Sequence, residues 1–307
     1  MDVSKGKRLS ALDGRWEPRW IVAGVWQAHG LNLLYGAPRT RKSTLRGYMA
    51  VCALANLPVF GTLPIETPVK RCIIVGGEEV PDAEARRLYR VADSLGVSRA
   101  LLAERILLFG PDSGLRLDSD ASVRTLIRLA ASEGADLVCL DPFVNFHSQN
   151  ENDNAQMATI LGRLMPLCAE STLVLLHHTA KPSADSNGRS VSHKARGASA
   201  IPGYTSVNLL LTHVGEEDSN LSKLHVDAKY AKRHLPLNLA YAEHTGLFAI
   251  SGAAKRVAEA IKAAPDASAS TIAAMARVRK DEALRIIRDT RTASGTTLST
   301  LGPPSAA

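Results

Sequence analysis

Between about residue 30 and residue 250, short apolar runs alternate with longer amphipathic ones, the pattern of strands exchanged with helices. The runs that read as strands are LNLLY from Leu31, RCIIVG from Arg71, RILLF from Arg105, DLVCLD from Asp136, TLVLLHH from Thr172, SVNLLLTH from Ser206 and KLHVDAK from Lys223. Between two of them, PDAEARRLYRVADSLG predicts a surface helix. Pro81 suits its first turn and Gly96 its end, while Ala85, Leu88, Ala92 and Leu95 fall at helical spacing on one face. Near-continuous apolar strands such as LVCL imply a sheet covered on both faces. The expected fold is therefore α/β, a doubly wound, mostly parallel sheet.

Residues 182–198, PSADSNGRSVSHKARGA, carry Ser, Gly, Asn and basic residues without apolar periodicity, and predict a mobile loop. After Ile250 the chain turns to Ala-rich helical segments, AAKRVAEAIKAA, ASTIAAMARV and RKDEALRIIRDT. Their spacing suits a helix-turn-helix or an ordinary helical appendage. From Gly252 to Ala307 nine Lys/Arg stand against five Asp/Glu, a local excess of +4. The expected division is a loosely ordered lead-in at 1–19, an α/β domain at 20–250, a helical domain at 251–293 and a disordered tail at 294–307.

Composition narrows the class. The chain has 307 residues, 45% hydrophobic and 22% charged, with no apolar run of the roughly 18 residues a membrane span needs. Only 5% of residues are aromatic, which disfavours a sandwich built on Trp and Tyr. A formal charge of +7 favours an anionic partner without specifying nucleic acid. Cys52, Cys72, Cys139 and Cys168 each sit in an apolar stretch without CxxC pairing, as reduced buried thiols of a cytoplasmic protein do. The first residues carry basic side chains but no apolar segment after them, so a secretory signal is not expected.

The strongest chemical signal is LNLLYGAPRTRKST, a strand, a Gly/Pro-bearing turn and the start of a helix. Such a construction aims successive backbone N–H groups and a helix N-terminus at one anion. Gly36, Ala37, Pro38, Arg39, Thr40, Arg41, Lys42, Ser43 and Thr44 would line the phosphates of ATP, with Lys42 neutralising them and Ser43 holding Mg2+. Arg41 stands where the pattern GxxxxGK[ST] has its second glycine. Its side chain would either crowd the phosphates or lie outward and add positive potential.

Three strand ends add to this site. In IIVGGEEVPDAEARRL, Glu78 is placed to polarise an attacking water, although acidic residues there are often only solvated. DLVCLDPF ends in Asp141, the Walker B form, whose carboxylate reaches the nucleotide's Mg2+. TLVLLHHTAK delivers His177 and His178 to the same sheet edge. Adjacent strand residues face opposite ways, so one of them, assigned here as His178, can sense the γ-phosphate while the other packs.

The order of these motifs resembles the RecA-like ATPases, and most closely the small hexameric replicative helicases of the plasmid RepA type. EEVPDAEARRL resembles that family's acidic pair, proline and Arg-Leu; DPFVNFHSQNEND resembles its Walker B segment; LLHHTAK and RGAS resemble its histidine and arginine motifs. The similarity runs from about Trp20 to Ile250, and Arg41 departs from it. The resemblance implies that Arg196, in KARGAS, enters a neighbouring subunit's ATP site as an arginine finger. Arg189, His193 and Lys194 of the same loop would track a DNA backbone, unless the loop is only a solvated linker. Arg87, Lys229 and Lys232 become candidates for interface or nucleotide contacts. His147, Glu151 and Asn152 match a motif whose chemistry the sequence does not explain.

These expectations describe an ATPase that forms a homo-oligomeric ring, hexameric by resemblance, and unwinds or moves along single-stranded DNA in replication of a plasmid, phage or other mobile element. Its helical appendage would recruit an origin or other replication proteins, and no membrane is involved. Two alternatives are a nucleotide-gated binding or loading module with little turnover, and a sequence-specific DNA-binding regulator acting through the C-terminal helices. A metabolic kinase fits less well, because no substrate motif accompanies the phosphate loop.

Overall fold

The computed structural model describes residues 14–179, 200–214, 220–231 and 236–250, and within 252–284 residues 252, 256–257, 260–261, 263–276, 280 and 283–284. In chain order the elements are β1 (Trp20–Val22), β2 (Trp26–Gln27), β3 (Leu31–Gly36), α1 (Lys42–Ala55), β4 (Cys72–Gly76), α2 (Pro81–Leu95), α3 (Arg99–Arg105) and β5 (Ile106–Phe109). They continue with α4 (Asp120–Glu133), β6 (Leu137–Asp141), α5 (Asn154–Leu164), β7 (Thr172–His178), α6 (Ala200–Tyr204), β8 (Val207–His213), β9 (Leu221–Ala228), β10 (Leu237–Ala242), β11 (Leu247–Ile250) and α7 (Ala269–Ala276). All the strands expected from the sequence are present. The sequence pattern missed β1, β2, β10 and β11, which are short or only half buried.

Among the described residues nine strands form one sheet, in the order β11-β10-β9-β8-β3-β7-β6-β4-β5. From β8 to β5 every neighbouring pair is parallel, and β9, β10 and β11 extend the sheet as an antiparallel meander. Alternation along the strands builds two cores. Leu34, Ile74, Cys139, Val174 and Leu176 face α1, α2 and α3. Leu33, Ile73, Val138, Leu140 and Leu175 face α4 and α5. Both faces are covered, which is why the central strands read as unbroken apolar runs. All four cysteines are free and buried.

Capping sets the helix limits. Asp153 accepts from the N–H groups of Ala155 and Gln156 at the start of α5, and Ser119 caps α4. Gly96 ends α2 in the left-handed region at φ 69°, as its position predicted. The buried set of α2 is Glu84, Leu88, Val91 and Ala92, with Leu95 packed against the same core, so the expected stripe holds at Leu88, Ala92 and Leu95 and Glu84 takes the buried place expected of Ala85. After β11, Val257, Ala260, Ile272, Ala273, Ala276 and Ala283 form a small separate core, with Ser268 accepting from the Thr271 N–H at the start of α7. Among the described residues no helix is long and apolar enough to cross a membrane.

The entry into β3 depends on one buried amide. Asn32 is fully buried; its Oδ1 accepts from Gln27 N–H at 2.9 Å, and its Nδ2 donates to the carbonyls of Gln27 at 3.0 Å and Gly30 at 3.2 Å. Replacing it removes these side-chain partners from backbone groups that are buried at Gln27. Asn32→Ala is expected to destabilise the protein by about 2–3 kcal/mol, read as a lower urea midpoint at unchanged slope.

Candidate nucleotide site

Parallel pairing brings the motif residues to one edge. Gly36 lies beside His178 in the β3/β7 register, and Gly76 beside Asp141 in the β4/β6 register. Thr179 N–H also donates to the Gly36 carbonyl at 3.2 Å. The turn from Gly36 to Arg41 therefore sits over the carboxyl ends of the strands, where open α/β sheets bind ligands.

Within the turn, Lys42 folds back so that its Nζ donates to the carbonyls of Gly36 at 3.0 Å and Ala37 at 2.8 Å. Thr40 Oγ1 donates to the same Ala37 carbonyl at 2.8 Å. Gly36 has no room for a side chain: a Cβ would lie 2.4 Å from the Leu211 carbonyl and 2.9 Å from Thr40 Oγ1. Burial pushes the Lys42 ammonium down to about 8, against the opposing pull of Asp141 and Glu78.

Arg41 settles the question raised by the missing glycine. Its backbone takes φ 66° and ψ 28°, the left-handed conformation for which glycine is suited. Its side chain lies outward, with the guanidinium 4.7 Å from the centre of the Tyr241 ring in β10 and Nη2 donating to Asn220 at 3.1 Å. On the same side, the His213 ring lies 3.2 Å from the Arg39 carbonyl. The antiparallel extension thus grips the phosphate-loop turn.

Ser43, Glu78 and Asp141 line one pocket, together with Arg46, Glu79, Glu84 and Arg87. Arg46 and Glu84 are the functional-site residues the sequence reading missed. Arg46 is 1% exposed and donates to both Glu84 oxygens, at 2.6 and 3.2 Å, and to Asp141 Oδ2 at 2.9 Å. Burial works against its charge, but Glu84 and Asp141 overcome that and hold its pKa above the ordinary value. One turn along α1 from Lys42, an Arg amid Leu45 and Met49 on the sheet-facing side was the signal available.

Arg87 continues the chain of charges, donating to Glu84 and to Glu79. Both contacts lie within its own chain, on the wall of the pocket that Ser43 and Asp141 share. Lys229 is also engaged within its own chain. Its N–H donates to Ser206 and its Nζ to Gly203, at the start of β8, whereas the phosphate-loop turn lies toward the end of that strand. Arg189, His193, Lys194, Arg196 and Lys232 lie outside the described residues.

The two histidines separate as their alternation requires. His177 is fully buried, edge-on to Phe143 and 3.6 Å from Glu151, on the face away from α1. His178 is half-buried on the α1 side, next to Gly36. His147 packs on Phe143 and is buried, which pushes its imidazole below the ordinary value. The unexplained His147 and Glu151 thus belong to a buried cluster behind the site, while Asn152 is exposed in the same turn as Glu151. A larger cleft of about 580 Å³, lined by Tyr89, Arg90, Arg99 and His244, contains none of the candidate site residues.

A hydroxyl and a carboxylate on one pocket wall form a hard oxygen set that fits Mg2+, and the buried Lys42 beside the loop carbonyls fits a phosphate chain. Fold and site together define a RecA-like P-loop ATPase. The chain belongs to the family described as AAA domain, which it matches over residues 10–184, more than half its length. In fold it is similar to the structure described as "Crystal structure of the RadB recombinase", with a TM-score of 0.54 and 16% identity, over 74% of this chain and 92% of that one.

The Arg41 geometry yields a comparison of two substitutions. Both remove the contacts to Tyr241 and Asn220, but only glycine also removes the cost of the left-handed backbone, about 1–2 kcal/mol for a residue with a Cβ. Arg41→Gly is therefore expected to be more stable than Arg41→Ala by about 1 kcal/mol in urea denaturation.

Proposed function

We propose that this protein is an ATP-driven motor that assembles as a homo-oligomeric ring, hexameric by resemblance, around single-stranded DNA. It acts in the cytoplasm in replication of a plasmid, phage or other mobile element. The observation that carries the catalytic half is the convergence of Lys42, Ser43, Glu78 and Asp141 on one edge of the sheet. The ring and the DNA rest on the resemblance of the histidine and arginine motifs to RepA-type helicases.

In this reading Lys42 exchanges its two carbonyl partners for the β- and γ-phosphates, while Ser43 and Asp141 hold Mg2+. The ion supplies charge neutralisation of the phosphate oxygens. Glu78, exposed at the pocket rim, accepts a proton from the attacking water, and His178 hydrogen-bonds to the γ-phosphate end of the site. Arg196 of a neighbouring subunit completes the charge stabilisation, so that turnover requires assembly. Arg189, His193 and Lys194 contact the DNA backbone, and Arg87, Lys229 and Lys232 serve the ring interface. The C-terminal helices recruit other replication components.

One observation favours a second reading, a nucleotide-gated binding or loading module with little turnover: the Asp141 carboxylate is already ion-paired to Arg46. ATP hydrolysis with and without single-stranded DNA separates the two. The motor reading expects DNA-stimulated turnover that falls about a hundredfold or more in Lys42→Ala and in Arg196→Ala, with assembly intact by light scattering. ATP binding without turnover in the natural protein would leave the gated module.

Nucleotide binding is also expected to depend on pH. Because burial holds the free Lys42 near 8 and phosphates favour its charged form, binding above pH 8 must draw a proton onto the amine. Affinity is therefore flat below that pH and falls as pH rises beyond it, by up to about tenfold per unit. Calorimetry at pH 8.5 in buffers of different ionisation enthalpy is expected to show proton uptake, and Lys42→Ala is expected to abolish it.

A further inference from the structure

Arg46 holds the carboxylate that the proposed function assigns to the metal. Its guanidinium is sealed in the protein, and Nη2 is shared between Glu84 Oε2 at 3.2 Å and Asp141 Oδ2 at 2.9 Å. Its Nε is buried without a hydrogen-bond partner, so the group is placed for its two carboxylates rather than for full satisfaction. Glu84 has a second cation in Arg87, which in turn reaches Glu79. The alternating series Asp141, Arg46, Glu84, Arg87, Glu79 contains three negative and two positive groups. The Asp141 contact can be released without stranding Arg46, because both Nη atoms also donate to Glu84.

We propose that Arg46 is a positioning residue that acts as an internal counter-cation to Asp141, weakening divalent-metal binding in the nucleotide-free site and yielding the carboxylate when metal and nucleotide enter together. This rests on the nucleotide-site reading and goes beyond it. A guanidinium and a metal ion sharing one carboxylate repel each other, so metal alone meets an opposed site. The negative phosphates of a nucleotide remove that opposition. Arg46, freed from Asp141, would remain on Glu84, and its changed pull would pass through Arg87 to the acidic turn carrying Glu78 and Glu79.

The test is binding of Mn2+ alone to the full-length, nucleotide-free protein, followed by electron paramagnetic resonance. Arg46→Met and the double variant Arg46→Met/Glu84→Met are expected to bind Mn2+ about tenfold or more tightly than the natural protein, the size of effect a neighbouring unit charge has on a carboxylate. Arg46→Lys, which keeps a cation between the two acids, should stay near the natural affinity. Adding Asp141→Asn to the double variant should erase the gain. If the single variant fails to fold because Glu84 loses its buried bidentate partner and keeps only Arg87, the double variant, with no carboxylate at that position, decides the matter. Natural Mn2+ affinity in the folded variants, or a gain that survives Asp141→Asn, would overturn the assignment. A fluorescent ATP analogue titrated into the natural protein separates this from the parent reading: no binding with or without Mn2+ would sink the nucleotide site, whereas binding with unaltered Mn2+ affinities would sink only the role of Arg46.

Discussion

The parallel register of β3, β7, β6 and β4 is the constraint on which the site depends. Parallel strands end on one edge, and alternation then selects which side chains share a face. Gly36, Asp141 and His178 are brought together in this way although more than a hundred residues separate the first from the others. The turn after β3 can remain tight because Gly36 leaves space for the Leu211 carbonyl, and Lys42 can be buried because that turn offers it two acceptors. Displacing β3 by one residue relative to its neighbours would send its side chains to the opposite faces and carry the turn out of line with the ends of β6 and β7.

Beneath the turn, the protein concentrates charge where an α/β domain is otherwise apolar. Burying Arg46 and Glu84 is costly unless each is paired and hydrogen-bonded, and the bidentate contact supplies both. This network joins α1, α2 and β6, the elements that carry Lys42, adjoin Glu78 and present Asp141. On the other flank, Arg41, Tyr241 and Asn220 fasten the phosphate-loop turn to the antiparallel extension. The turn is therefore held from both sides by arginines, one inside the core and one at the surface.

Much of this was legible in the sequence. The central strands declared themselves as unbroken apolar runs because both sheet faces are covered, and the phosphate-loop spacing singled out Lys42 and Ser43 as candidates, which the structure places at the turn and in the pocket beside it. β10 and β11 were missed because LNLAYA and LFAI are short and half-buried at the sheet margin. Arg46 and Glu84 were missed because an arginine or glutamate on a helix usually faces water, and only their places among Leu45, Met49, Leu88 and Val91 mark them as inward. Arg41 was visible as a departure from the glycine pattern, but its direction depends on Tyr241, two hundred residues away in sequence. For Arg87 the motif was visible and the partner was not, since Glu79 and Glu84 flank it at spacings that also suit a solvated helix end.

The central claim is that this sheet edge binds a nucleotide through Lys42. Thermal unfolding of the natural protein and of Lys42→Ala, each with and without ATP and Mg2+, tests it most directly, because a ligand that binds only the folded state stabilises it by about 2.7 kcal/mol at a hundred times its dissociation constant. The account predicts a clear rise in melting temperature for the natural protein and little or none for Lys42→Ala. No rise in the natural protein, or an equal rise in both, would contradict it.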